Sequence, residues 1–397
     1  MNNRSAPLQD KDRIASLDMM RGFALLGILM ANSLHFQFGL LLIPDIHQFY
    51  PLGPLDRAAE IFVQVFAASS FYTLFSFLFG YGMAFLKERL EQQQLSFNKL
   101  YWRRTFILLV VGFIHGIFIW DGDILFTYAL TAFVLFFFLK LSERGLLNWS
   151  LVLLFMMALS IATPEEDSTI YDAQFLQYSI EEKEALSLKS YTDVVHFRLF
   201  NDPLGIGFMG EVILQVSVMI SVLGMFLLGA FVHRKKWLVH PIESRPLLIR
   251  VWWITLLIGF PSKIIYIFND RYTYEMLHTT VGGPLVAMFY ASSIALMASS
   301  KNTNRLLYPL TYVGRLSLTN YLLQSIVFTT LFYGYGFNLF GRIGIFAGLL
   351  LCFVFFALQI FASKWWLSRF YIGPFEWFWR AGTYLRLPKI RRKQISR

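Results

Sequence analysis

Apolar residues along this chain gather into long runs, and the polar residues between them gather into clusters of one dominant charge. The runs cover about residues 14–38, 55–86, 103–125, 124–140, 146–163, 204–232, 247–268, 279–298, 312–333 and 343–363. A helix rises about 1.5 Å per residue, so about 20 apolar residues cross the hydrocarbon core of a bilayer. Inside that core every backbone N–H and C=O must be bonded within the protein, and a helix does this by itself. The pattern predicts an all-α fold, a polytopic integral membrane helix bundle of about ten transmembrane helices. The run 55–86 exceeds one crossing, which puts its first half at the interface or tilts it. Pro261 inside 247–268 predicts a kink. Gly22 and Gly27 in the first run mark close helix approach, as do Gly80 and Gly82 in the second.

Composition agrees. Hydrophobic residues are 56% of the chain and charged residues 15%, against about 45–50% and about 25% in soluble domains. The sign of the loops sets the topology. Lys87, Arg89, Lys99, Arg103 and Arg104 cluster between the second and third runs, and His233-Arg234-Lys235-Lys236 follow the sixth. Residues 164–203 instead hold nine acidic and three basic groups. Basic loops stay inside, so both termini are expected in the cytoplasm and 164–203 outside. The net charge of +10 then reflects topology, and no nucleic-acid partner is expected. The expected organisation is a five-span bundle at 1–163, the acidic extracytoplasmic loop 164–203 with a short surface helix near 181–188, a second five-span bundle at 204–385, and a basic tail at 386–397. Asp18 and Arg21 interrupt the first run, which is not a cleavable signal. The lone Cys352 allows no disulfide within the chain and no Cys-based metal site.

Ionisable groups within the runs cost free energy and need a reason. The stretch 103–125 concentrates them, with Arg103 and Arg104 at its start, His115 in its middle, and Asp121 and Asp123 at its end. Arg104 and His115 share a helical stripe about 16 Å apart. Arg104 reads equally as a snorkelling interfacial side chain or as a ligand group. His115 reads either as an imidazole bonded to a neighbouring helix or as a general base titrating near neutral pH. Asp123 reads as the N-cap of the next helix, which leaves Asp121 the better group to orient His115. Asp18 and Arg21 lie three apart and pair locally. Arg21 and Arg104 together suit a phosphate or pyrophosphate. No Gly-rich phosphate loop with a lysine occurs, which argues against a nucleotide hydrolase. Glu211, Lys263 and the set Arg315, Asn320 and Gln324 are expected either to line an internal cavity or to satisfy one another. The histidines show no metal-ligand spacing, so no metal is expected.

Five stretches resemble the YeiB-like family of uncharacterised bacterial membrane proteins. They are Leu17-Asp18-Met19-Met20-Arg21-Gly22 with Ala24-Leu25-Leu26-Gly27-Ile28; Phe77-Leu78-Phe79-Gly80; Gly112-Phe113-Ile114-His115-Gly116 through Asp121-Gly122-Asp123-Ile124-Leu125; Val313 through Gln324; and Gly373-Pro374-Phe375-Glu376-Trp377-Phe378-Trp379-Arg380. In order, they span the chain from end to end. That family is similar to transmembrane acyltransferases, both the heparan-α-glucosaminide N-acetyltransferase type and the bacterial O-acyltransferases that modify surface sugars. The resemblance implies a multi-pass protein of the bacterial plasma membrane. It would take an acyl group, acetyl foremost, from cytoplasmic acyl-CoA to a hydroxyl or amine of an extracytoplasmic sugar or lipid. The O-acyltransferases separate an Arg and a His by ten residues. Arg104 and His115 reproduce that spacing on the third run instead of the first. The heparan type carries Asp-x-x-Arg-Gly, as at Asp18–Gly22 here, and a catalytic His after the first span. His35 and His47 stand in that region without a matching motif and rank behind His115.

The leading expectation is an acyl-CoA-dependent acyltransferase. His115 is its base, oriented by Asp121 or Asp123. Arg21, Arg104 and Arg315 hold the donor phosphates, with Asp18, Asn320, Gln324, Glu211 and Lys263 as supporting polar groups. Cys352 is unsuited to a thiol acyl-enzyme, while direct transfer and an acyl-histidine both stay open. The rival is a proton-coupled transporter or lipid carrier built on Glu211, Lys263 and His115. A third reading is a lipid- or quinone-binding protein without turnover. The partners implied are the bilayer and a small-molecule, glycan or lipid acceptor, and a homodimer is compatible with the sequence.

Overall fold

The computed structural model describes residues 14–39, 46, 50, 52–163, 169–201, 207–239, 241–269 and 271–392, with the backbone alone at 169–175. In chain order the helices are α1 (Ala15–Phe38), α2 (Pro54–Phe66), α3 (Ser70–Gln92), α4 (Phe97–Phe118), α5 (Leu125–Phe138), α6 (Glu143–Ala158), α7 (Thr169–Leu188), α8 (Tyr191–Phe200), α9 (Gly207–Arg234), α10 (Arg245–Phe268), α11 (Tyr272–Met276), α12 (Gly283–Ala298), α13 (Lys301–Arg315), α14 (Ser317–Phe332), α15 (Ile345–Arg369) and α16 (Pro374–Tyr384). A π-helical turn, Leu277–Gly282, leads into α12. Eight helical stretches are long and apolar enough to cross a membrane. The protein is thus a polytopic helical membrane bundle.

Two of the ten expected crossings differ from that set. The run 124–140 becomes α5, of only 14 residues. The run 312–333 is split at Leu316 into α13 and α14. Pro261 lies inside a continuous α10. The surface helix expected near 181–188 is the end of the longer α7. One cluster of buried apolar side chains runs from Leu17 to Phe356 and draws on helices from both sides of the acidic segment. Within it α1 is buried along most of its length and packs on α3, α13, α14 and α15.

The bundle has a basic and an acidic end. At the basic end His233 Nε2 meets Glu88 at 2.8 Å and Lys236 approaches the same carboxylate at 3.6 Å. Lys87 and Arg234 donate to the Leu139 carbonyl that ends α5. At the acidic end α8 covers the last turn of α4. Tyr191 Oη donates to the Phe118 carbonyl at 2.7 Å and Arg198 Nη1 to Ile117 at 3.3 Å.

The run 55–86 is broken at 67–69, where Ser69 takes a left-handed φ of 58°. A break inside an apolar bundle strands the last carbonyls of α2. Side chains from two other helices and the π turn fill them. His278 Nε2 bonds Gln64 O at 3.0 Å, Tyr290 Oη donates to Phe66 O at 2.8 Å, and Lys263 Nζ donates to Ala68 O. Lys263 also donates to Ser70 Oγ at 3.0 Å. The buried lysine is therefore committed to the end of a helix, where a cation is favoured by the local dipole.

At the crossing of α1 and α13 the backbones touch. A Cβ added at Gly314 would lie 1.9 Å from the Asp18 carbonyl oxygen, and one at Gly22 would lie 2.1 Å from that of Leu310. Gly314→Ala must push α13 off α1, and an overpacking cost of about 1–3 kcal/mol is expected. Gly82→Ala, whose Cβ meets nothing nearer than Arg21 Nη2 at 3.6 Å, is the control. Thermal unfolding in detergent should show a drop of several degrees for Gly314→Ala alone; equal midpoints would refute the contact.

Candidate functional site

The glycine crossing sets Asp18 and Arg21 beside the end of α13, and the basic end is hollow there. A cavity of about 280 Å³ is lined by Arg21, Arg89, Arg104, Arg315 and Arg380. Asp18 and Glu376 are its carboxylates. Its other walls are apolar and aromatic, including Leu78, Phe79, Leu108, Tyr128 and Tyr321. The three arginines expected to hold a donor thus border one space, joined by Arg89 and Arg380. Arg21 Nη1 also pairs with Asp18 Oδ1 at 2.9 Å, as its spacing predicts.

Helix α16 forms one wall. Trp379 stacks on Arg104, with the guanidinium carbon 3.6 Å from the ring centroid, and its Nε1 donates to the Arg104 carbonyl at 2.9 Å. Arg104 Nε is buried with no hydrogen-bond partner among the described residues. Glu376 closes the split between α13 and α14. Its Oε1 accepts from the amides of Leu318 at 2.7 Å and Thr319 at 3.0 Å, and its Oε2 from Thr319 Oγ1 at 2.5 Å. Burial pushes the Glu376 carboxyl up, against the opposing pull of Thr319 and those amides.

His115 is buried, and its Nδ1 meets Asp123 Oδ1 at 2.9 Å. Asp123 Oδ2 accepts the Phe126 amide at 3.0 Å, so one carboxylate both orients the imidazole and caps α5. Tyr321 Oη donates to Asp123 Oδ1 at 3.2 Å. With Nδ1–H facing the carboxylate, the lone pair falls on Nε2, which is buried without a partner among the described residues. Gly112 makes this hairpin feasible: a Cβ there would lie 2.3 Å from the Phe126 nitrogen. Tyr321 borders the cavity, while His115 lies behind it and is not in its lining.

Several expected positions change. Asp121 does not reach His115: its Oδ1 faces Arg198 Nε at 3.7 Å, on the acidic side. Glu211 is exposed on α9 and lines no interior space, because α9 is apolar on every side and its sequence gives no clue to which face packs inward. Lys263 serves the α2–α3 break. Asn320 and Gln324 are bound into a buried amide network. Asn320 Nδ2 donates to Val313 O at 3.2 Å, Gln324 Nε2 to Gln359 Oε1 at 2.9 Å, and Gln359 Nε2 to Asn320 Oδ1 at 3.2 Å. His35 lies 6.4 Å from Trp120 between ring centroids, apart from the cavity. His47 falls outside the described residues. The sequence reading missed Tyr321, Glu376, Trp379 and Arg380 as site residues, although all four sit inside the motif stretches quoted above.

A family model described as "Protein of unknown function (DUF418)" matches residues 232–386. An uncharacterised Bacillus subtilis protein, YxaH, is 32% identical over 403 residues, covering 98% of each chain. An uncharacterised protein encoded in an amylase 3′ region of Bacillus acidopullulyticus is 31% identical over 396 residues, covering 98% of this chain and 99% of its own. The uncharacterised Escherichia coli protein YeiB is 28% identical over 399 residues, covering 94% of this chain and 96% of its own.

Glu376→Ala strands two amides and a hydroxyl, at about 1–3 kcal/mol for each buried donor left unpaired. The expected result is a clearly lowered unfolding midpoint, partly recovered by Glu376→Gln, which keeps an acceptor oxygen. Equal midpoints for the Ala and Gln variants would contradict the capping role.

Proposed function

The chain belongs to the YeiB-like family of uncharacterised bacterial membrane proteins, and from that footing we propose a membrane-bound acyltransferase of the bacterial plasma membrane. The donor is a cytoplasmic acyl-CoA and the acceptor a hydroxyl or amine on the far side. One observation carries the reading: five arginines line a cavity whose wall includes Tyr321, and Tyr321 shares the Asp123 carboxylate with His115.

The chemistry follows from the groups. Guanidinium forks match phosphate oxygens in pairs, and they do so most strongly where water is scarce. Five of them on one lining match a ligand carrying several negative charges, as the phosphates of coenzyme A do. The apolar walls suit the acyl and pantetheine part. His115 Nε2 accepts the proton of the acceptor hydroxyl or amine. The freed electron pair attacks the thioester carbonyl, and the C–S bond breaks to release the coenzyme thiolate. Asp123 holds the imidazole's orientation and stabilises the imidazolium that forms. Cys352 is buried against the Leu29 carbonyl at 3.8 Å, away from the cavity, which leaves no thiol relay.

A carrier is the second reading, favoured by one feature. Helices broken at 67–69 and at Leu316, one with a buried lysine at the break, are the kind of discontinuity on which transporters build sites.

The purified protein in detergent, given labelled acetyl-CoA and membrane glycolipids, should transfer label. His115→Ala and Asp123→Asn should each lower kcat by about 10²–10⁴. Arg315→Gln should chiefly raise KM for the donor. Wild-type turnover by His115→Ala would sink the mechanism. Solute flux in liposomes without acyl-CoA, lost in Lys263→Met, would favour the carrier.

A further inference from the structure

Away from the arginine cavity, α13 and α15 enclose a second concavity of about 690 Å³. Three cations converge on it: Lys301 and Arg305, one turn apart at the start of α13, and Lys364 near the end of α15. No carboxylate lines it, and none of the three cations has an ion-pair partner among the described residues. Apart from Asn304, the remaining lining is aromatic and apolar, with Tyr308, Tyr312, Ala357 and Phe361. Phe361, in the lining, is 71% exposed. In a membrane protein such side chains face lipid tails.

This combination differs from ordinary snorkelling. A snorkelling lysine or arginine reaches outward from its own helix, and each does so alone. Here cations from two helices face one hollow, and that hollow continues along an apolar wall open to the bilayer. A bound molecule must satisfy positive charge at one part and apolar surface at the other. Anionic phospholipids do both, and basic hollows between transmembrane helices on the basic side bind their head groups.

We propose that the α13–α15 groove is a specific site for one anionic phospholipid. Its phosphate rests on Lys301, Arg305 and Lys364, and an acyl chain lies along Tyr308, Phe361 and Ala357. The site stands independently of the acyltransferase reading, because it shares no residue with the arginine cavity.

Native mass spectrometry of the full-length, delipidated protein gives the test, with phosphatidylglycerol, phosphatidylcholine and inorganic phosphate as the added ligands. Wild-type protein is expected to hold one phosphatidylglycerol at least about tenfold more tightly than phosphatidylcholine. The triple variant Lys301→Gln, Arg305→Gln, Lys364→Gln should lose roughly two orders of magnitude in affinity, about what three cations beside an anionic head group contribute. Ala357→Trp fills the groove without touching its charges and should abolish the bound lipid. Arg342→Gln, an exposed arginine away from the groove, should change nothing. Equal binding of the two lipids overturns the proposal, as does wild-type affinity in the triple variant. Unchanged binding in Ala357→Trp reduces the three cations to a diffuse surface field and overturns it equally. Displacement of the lipid by equimolar inorganic phosphate would make this a small-anion site and not a lipid site.

Discussion

A backbone inside a bilayer has no water to turn to, so every interruption of a helix must be repaid by protein donors and acceptors. Among the described residues, helices break at 67–69 and at Leu316, and the repairs there organise the molecule. At 67–69 the repair comes from His278, Tyr290 and Lys263, which tie α2 to the pair formed by α10 and α12. At Leu316 it comes from Glu376, which fastens α16 beneath the start of α14. The second repair is what builds the candidate site. Glu376 at the α14 amides and Trp379 Nε1 at the Arg104 carbonyl together place α16 against the cavity, with Trp379 over Arg104 and Arg380 in its wall. A polar group that looks costly in an apolar chain is here the condition for the fold around it.

Electrostatics explains why that wall takes the form it does. Five guanidiniums facing one small space repel one another, and apolar walls weaken the screening that water would give. Glu376 is engaged by two amides and a hydroxyl, and Asp18 holds Arg21. Trp379 offers its face to Arg104, a contact worth about 0.5–2 kcal/mol, and leaves the net charge untouched.

Much of this was legible in the sequence, and the reasons divide cleanly. Apolar runs of bilayer length gave the helices, and loop charge gave two distinct ends. The joint placement of Arg21, Arg104 and Arg315 followed from the charge pattern and the resemblance. The failures have physical causes. Asp121 was preferred over Asp123 because capping and orienting were treated as exclusive roles. A carboxylate has two oxygens, and Asp123 gives one to His115 and the other to the Phe126 amide. Asp121 has its own partner in Arg198, distant in the chain and invisible to local spacing. The breaks at 67–69 and Leu316 left no apolar gap in the sequence, because their repairs come from other helices. Glu211 was misplaced because α9 is apolar all round, so periodicity could not tell its packed face from its lipid face.

The position of His115 behind the cavity wall, and not in it, constrains any chemistry at this site. Tyr321 stands between, and its hydroxyl donates to the same Asp123 oxygen that His115 uses. Two donors on one oxygen compete. While both are bonded, each holds less of the carboxylate's charge than it would alone. Tyr321, which borders the cavity, and His115, which lies behind it, thus meet at one shared carboxylate oxygen. Under the proposed function, a substrate deprotonated by Nε2 would approach from the side away from Tyr321. Under the proposed acyltransferase, donor and acceptor would enter from opposite sides of the Tyr321–Asp123–His115 chain, the order that a transfer across a membrane requires.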